Sequence, residues 1–165
     1  MSCSVALCSE IELQQLSELL KKFGINIEQV ADGKSIPGSW FGEPEAGIIA
    51  TTLYIRGDTP VHSALHESCH LICMDSERRA TLHTNAGGDY DEENGVNYLE
   101  ITLAGYLAEI GSARMMRDMD CWGYTFRLGS AKAWFEQDAE DTRQWLIDHH
   151  VLDQRALPTW KLRNN

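Results

Sequence analysis

The sequence predicts an α+β fold: a mainly helical single domain over residues 1–165, with a small mixed or antiparallel sheet packed on one helix. Three observations favour this class. Apolar residues recur at helical spacing in several segments. The segment 47–56 is dense in β-branched and aromatic residues. Loops rich in Gly and Pro separate these segments, and no internal repeat indicates a second domain.

The first helix is predicted to begin after Ser9, with Glu12 completing a capping box. Its apolar stripe predicts packing against the core, and Gly24 is expected to end it. The next residues, 25–30, alternate weakly and predict a strand.

Residues 31–47 are rich in Gly and Pro and predict a loop. Trp40 and Phe41 lie within it, and we expect them to pack over the sheet rather than to line a groove. The segment 47–56 is the clearest strand of the chain.

A second helix is predicted directly after this strand. Asp58 or Thr59 can cap it, Pro60 suits its first position, and it is expected to run to about Met74. The helix contains the most informative motif of the sequence, described next.

The motif is His66-Glu67-Ser68-Cys69-His70, an H-E-x-x-H pattern. Residues four apart lie on the same helix face, so His66 and His70 can direct two imidazoles at one ion. Glu67 lies one step round the helix, within reach of a water at that ion. This arrangement predicts a catalytic Zn²⁺ site with Glu67 as the general base.

Two neighbours of the motif have side chains that can bind a metal, His62 and Cys69. His62 cannot share one ion with both other histidines, because eight helical residues span about 12 Å and Zn–N bonds are about 2 Å long. Cys69 offers a thiolate one turn from His66, although a small buried cysteine is the commoner case.

The third ligand is predicted from the start of a later acidic helix that runs to about residue 110. Glu93 is the preferred candidate, because Asn97 lies one turn on and could hydrogen-bond a ligating histidine. Glu92, Asp89 and Glu100 remain alternatives. Acidic residues also favour a helix start through the helix dipole, which explains Glu92 and Glu93 without any metal.

The C-terminal third contains an aromatic segment, 122–127, followed by a predicted helix over about 130–148. Tyr124 or Arg127 could donate a hydrogen bond to an oxyanion. The alternative is that the aromatic residues belong to the core and Arg127 pairs with an acidic group.

Composition excludes some classes of partner. The net charge of −11 argues against binding to nucleic acid or to an anionic membrane surface. The five cysteines have no disulfide-framework spacing and predict reduced thiols in a cytoplasmic protein. No apolar run predicts a membrane span, and the first eight residues lack the pattern of a signal peptide.

With its H-E-x-x-H motif and a later acidic helix, the chain resembles the zincin metallopeptidases. Cys73 and Ser76 stand where the metzincin branch continues its motif, so the resemblance is to the gluzincin branch, over about residues 47–107. It implies His66, His70 and Glu93 as the zinc ligands. It also implies a substrate that pairs with an edge strand before the motif helix, here 47–56.

The leading hypothesis is therefore a zinc-dependent hydrolase that cleaves peptide bonds in a peptide or protein substrate. The alternative is an inactive zincin-like protein that binds metal or a partner, in which Cys69 or His62 would close the site. A third possibility is a helical packing module without metal. The sequence predicts neither the particular substrate nor the oligomeric state, and a His/His/Glu site does not select one divalent metal by affinity.

Overall fold

The computed structural model describes residues 3–164. Within this range the fold is α+β, as predicted, with seven α-helices and one three-stranded mixed sheet. The helices are α1 Leu13–Lys21, α2 Val61–Cys73, α3 Ser76–Ala80, α4 Tyr90–Ala104, α5 Gly111–Trp122, α6 Ala131–Gln137 and α7 Glu140–Asp148. The strands are β1 Asn26–Val30, β2 Gly47–Ile49 and β3 Thr52–Arg56.

The predicted strand 47–56 is two strands. A tight turn at Ala50 and Thr51 separates β2 from β3, and Ala50 adopts a left-handed φ of 52°. The run of β-branched and aromatic residues contains no Gly, Pro or Asn at this turn, so the sequence does not mark the reversal. The predicted strand at 25–30 is confirmed as β1.

The order of the strands is β1-β3-β2, with β1 parallel and β2 antiparallel to β3. Most of the predicted edge strand is therefore the centre of the sheet. The outer side of β2 is also taken, because Thr84 N–H donates to the Ile48 carbonyl and Ala50 N–H donates to the Leu82 carbonyl. The condition for substrate pairing along 47–56 is not met.

The motif helix α2 is confirmed and lies in the centre of the molecule. Every residue of α2 except His66 is buried, as expected for a helix enclosed by other elements. The sheet packs on one side of it and α4 on another. The cap differs by one or two residues from the prediction: Pro60 is the N-cap, and the Thr59 hydroxyl instead accepts from the Arg56 N–H.

Both ends of the chain depart from the predicted helices. The predicted cap, Ser9, lies in a short 3-10 turn, and α1 begins later with Glu12 as its N-cap. The predicted helix over 130–148 is broken between α6 and α7 at Asp138, whose carboxylate binds Arg127. Helix α5 was not predicted; it buries Met115, Met116 and Met119.

A disulfide joins Cys3 to Cys121, and the remaining cysteines, Cys8, Cys69 and Cys73, are free and buried. The prediction of five reduced thiols is therefore wrong, and the cytoplasmic location, which rests on it, stays a prediction. No helix in the described part of the chain has both the length and the low polarity that crossing a membrane requires.

Candidate metal centre

Three side chains that the sequence singled out converge between α2 and α4. The Nε2 atoms of His66 and His70 lie 3.1 Å apart. Oε2 of Glu93 lies 3.6 Å from Nε2 of His70. One ligand atom from each residue falls within 4.8 Å of the others, so the group could hold one metal ion.

The start of α4 aims the Glu93 carboxylate. Asp89 caps the helix by accepting from the Glu92 N–H. Glu93 then places Oε1 against the Gly88 N–H at 3.0 Å and turns Oε2 towards His70. A backbone donor therefore fixes one carboxylate oxygen and leaves the other for a cation.

The other carboxylates that the sequence left open have different partners. Glu92 is buried and bonds the guanidinium of Arg78, and that of Arg163 lies 3.4 Å away. Asp89 serves as the cap of α4. Glu100 bonds His66 from behind rather than facing the ion position. Among the residues that the structure describes, Glu93 is the carboxylate that groups with both histidines.

Glu100 supports a candidate histidine ligand instead of serving as a candidate ligand itself. Its Oε1 lies 2.7 Å from Nδ1 of His66, which directs Nε2 of that imidazole towards the ion position. Asn97 was predicted for such a role, but its Oδ1 is buried without a hydrogen-bond partner. The signal was present, since Glu100 lies two turns beyond Glu93 on the same face of α4.

The helix crossing explains this pairing. His70, near the end of α2, faces Glu93 at the start of α4, whereas His66 faces Glu100 about two turns further on. The two helices therefore run antiparallel across the site. Two histidines one turn apart on α2 therefore contact two carboxylates two turns apart on α4.

Electrostatics in the site follow from burial. Burial raises the pKa of the Glu67 carboxyl to about 7 and lowers the pKa of His70 well below its ordinary value. Burial also opposes a charged imidazole at His66, but the hydrogen bond and charge of Glu100 outweigh it and raise the pKa of His66.

Glu67 shares a small open pocket with the three candidate ligands. The pocket has a volume of about 130 Å³, and the loop 84–87 forms one wall. Trp40 and Phe41 form another wall, with exposed fractions of 57% and 69%. The prediction that these two aromatic residues pack over the sheet is wrong; they stand at the mouth of the site.

A second pocket, of about 400 Å³, borders His66 on another side. Phe41 belongs to both pockets and His66 lies between them. Trp122, Tyr124 and Glu45 line the second pocket. The sequence indicates no separate role for Trp122 or for Glu45, because both are remote from the motif in the chain.

The two candidate oxyanion donors have different positions. The Tyr124 hydroxyl lies 3.2 Å from Nδ1 of His62, and its ring meets the edge of the His66 ring. Arg127 instead pairs with Asp138 through both carboxylate oxygens, as the alternative interpretation predicted. Of the two, Tyr124 is the one that lines a pocket bordering the metal ligands.

The group has three candidate ligands among the described residues. His62 is buried and contacts Tyr124, and it is not part of the group, in agreement with the length argument. Cys69 is fully buried and is also not part of it. A metal ion held by these three residues alone would keep a coordination position open.

Comparisons of the chain with models of known protein families, with curated proteins and with solved structures find no match. The functional interpretation therefore rests on the geometry of the site.

Proposed function

We propose that this protein is a zinc-dependent hydrolase that cleaves peptide bonds, with a site of the gluzincin type. One observation carries the proposal. Glu67, which is not a ligand, lines the same open pocket as His66, His70 and Glu93. A carboxylate beside three ligands and an open position is what metal-assisted hydrolysis requires.

The donor set fits zinc. Two imidazole nitrogens and one carboxylate oxygen are among the usual ligands of this ion. The facing Nε2 atoms of His66 and His70 are 3.1 Å apart, and a cation would satisfy both lone pairs. When bound, zinc would lower the pKa of a water and polarise the scissile carbonyl.

The residues of the chain divide the remaining work. Glu67 accepts a proton from the attacking water and returns it to the leaving amine. Glu100 holds the imidazole of His66 in one orientation through Nδ1. Tyr124, whose ring centroid lies 5.5 Å from that of His66, is the candidate donor to the developing oxyanion through its hydroxyl.

The proposal predicts that Glu67→Gln separates metal binding from hydrolysis. The amide cannot act as a base, so kcat/KM for peptide cleavage should fall by about 100-fold or more. Zinc content should remain near one ion per chain, because Glu67 is not a ligand. The measurement combines cleavage of a mixed peptide substrate with metal analysis of dialysed protein.

The same measurement addresses the alternative of an inactive metal-binding protein. His66→Ala serves as the control, because it should lose both zinc and activity. Full activity in Glu67→Gln would contradict the mechanism. A wild-type protein that holds zinc but cleaves no peptide would leave the non-catalytic metal-binding protein as the function.

A further inference from the structure

The second pocket contains the carboxylate of Glu45, which two hydrogen bonds hold in place. Oε2 of Glu45 accepts from the Ser63 hydroxyl at 2.6 Å, and Oε1 accepts from the Trp122 indole N–H at 2.8 Å. Ser63 is itself held, because its Oγ accepts from the Ala46 N–H. Both donors to the carboxylate are neutral, so they orient it without compensating its charge.

No Lys or Arg of the described chain lines either of the two pockets at the site. Glu45 forms no ion pair within residues 3–164. Glu45 is half-buried and hydrogen-bonded, but its negative charge has no opposite charge beside it, and a cationic ligand would supply one.

The walls of the pocket suit an organic cation. Phe41, Trp122 and Tyr124 line it, and aromatic faces attract guanidinium and ammonium groups. Its volume of about 400 Å³ lies in the range of roughly 300–1,000 Å³ that is typical of ligand pockets. His66 also borders it, so a group held there lies next to the bond that the proposed hydrolase would cleave.

We propose that this pocket is a specificity subsite in which Glu45 binds a cationic group of the substrate beside the scissile bond. The inference rests on the proposed function and extends it to a substrate class. The cation is the side chain of Arg or Lys, or the free amino group of a peptide that is cleaved near its amino terminus. Both sources offer N–H donors and positive charge to the same carboxylate.

The test uses pairs of peptides that differ only in Arg against citrulline, which has nearly the same shape but no charge. Each pair is made with a free and with an acetylated amino terminus. For the wild-type protein we expect kcat/KM to be about tenfold higher for the peptide that carries the bound cation than for the matched peptide that lacks it. This factor lies between the contributions of exposed and of buried ion pairs. Glu45→Gln should remove this difference, so that the peptides with and without the cation are cleaved at similar rates.

The matched control is Glu28→Gln, which removes the same charge from an exposed position of β1 that lines neither pocket. It should keep the preference. Faster cleavage of the free than of the acetylated peptides, whether they contain Arg or citrulline, would assign the cation to the amino terminus. Faster cleavage of the Arg than of the citrulline peptides, with or without acetylation, would assign it to the side chain. Equal cleavage of all four peptides by the wild-type protein, or an equal loss on all four in Glu45→Gln, would overturn the subsite.

Binding separates failure of the subsite from failure of the proposed function. The same four peptides, each with a fluorescent label, are titrated with the zinc-loaded Glu67→Gln protein. The fluorescence anisotropy of each peptide gives its Kd. A preference for the cation that depends on Glu45, without any cleavage by the wild-type protein, would support the subsite and refute the hydrolase. Peptide cleavage without a preference for the cation in either rate or binding would support the hydrolase and refute the subsite.

Discussion

His66 is held from two directions, and this sets its role in the site. Glu100 contacts Nδ1 behind the ring, while Nε2 points at His70 and the open pocket. A buried carboxylate on the far nitrogen fixes the tautomer and raises the basicity of the ligating nitrogen. Glu100 therefore acts through His66 and does not itself touch the ion position.

We expect Glu100→Gln to weaken zinc binding by about tenfold or more, because the amide keeps an acceptor but loses the charge that supports His66. Asn97→Ala is the comparison, since Asn97 was predicted for this role and has no hydrogen bond at Oδ1. It should change zinc affinity less. Competition with a chromophoric chelator measures both constants, and a larger effect of Asn97→Ala would contradict the assignment.

The sequence identifies the residues whose roles follow from local spacing. His66, Glu67 and His70 lie within one helix, so their relative positions depend only on helix geometry. The position of Glu100 on the Glu93 face of α4 follows from helix spacing, but its contact with His66 depends on how α2 and α4 cross. The place of Glu45 in the second pocket depends on the packing of separate elements, which no local pattern encodes. Phe41 was misjudged because an aromatic residue in a loop is usually packed, whereas here it forms the wall of two pockets.

Helix α4 directs the adjacent carboxylates of Glu92 and Glu93 to different partners. Consecutive helical residues differ by about 100° in direction, so Glu92 and Glu93 cannot face the same neighbour. Glu92 turns inward to Arg78 and Arg163, and Glu93 turns to His70. The sequence ranked Glu93 first, but only the packing of α4 shows why Glu92 has another partner.

We therefore expect the same substitution to lower zinc affinity at Glu93 and to lower stability at Glu92. Glu93→Gln should weaken zinc binding by more than about 100-fold, since a ligand contributes more than the groups that orient it. Glu92→Gln should keep zinc affinity but lower the free energy of unfolding by about 1–2 kcal/mol, a value reduced for the exposure of Arg78.

Chelator competition gives the zinc affinities of these two variants, and urea denaturation of the metal-free proteins gives their stabilities. The two variants serve as controls for each other, because both replace one carboxylate of α4 by an amide. Loss of zinc in Glu92→Gln with retention in Glu93→Gln would reverse the assignment of the third ligand.

Elements were predicted well where periodicity was strong and poorly where the chain reverses without a marker. Helix α2 and the apolar stripe of α4 followed from 3.6-residue spacing. The β2–β3 turn did not, because Ala50 takes a left-handed conformation that is rare for alanine. The break between α6 and α7 was not predicted either, because Asp138 pairs with Arg127 only in the folded protein.

At the scale of the whole molecule, the α+β class follows from the segments of helical and strand character. One hydrophobic core joins the sheet to the helices. The Cys3–Cys121 disulfide could not be predicted, because its cysteines are separated by 118 positions and no spacing rule pairs residues so distant. The two pockets are likewise properties of the assembled chain, since each is lined by residues from several elements.

Zinc should stabilise the folded protein as a whole, because its ligands come from α2 and α4 and are grouped only when these helices are packed. A ligand that binds the native state alone adds about 2.7 kcal/mol to the free energy of unfolding at 100 times its Kd. Denaturation by urea, without reductant and with either zinc or a chelator, measures this difference. We expect the gain in the wild-type protein and in Glu67→Gln.

The gain should vanish in His66→Ala, which retains every cysteine and so controls for zinc bound by thiols of the unfolded chain. Three free cysteines, Cys8, Cys69 and Cys73, become accessible on unfolding, and their affinity for zinc would reduce the measured gain equally in all three proteins. An equal stabilisation of His66→Ala and the wild-type protein would place the stabilising ion elsewhere. No stabilisation of either would argue for a helical packing module without metal.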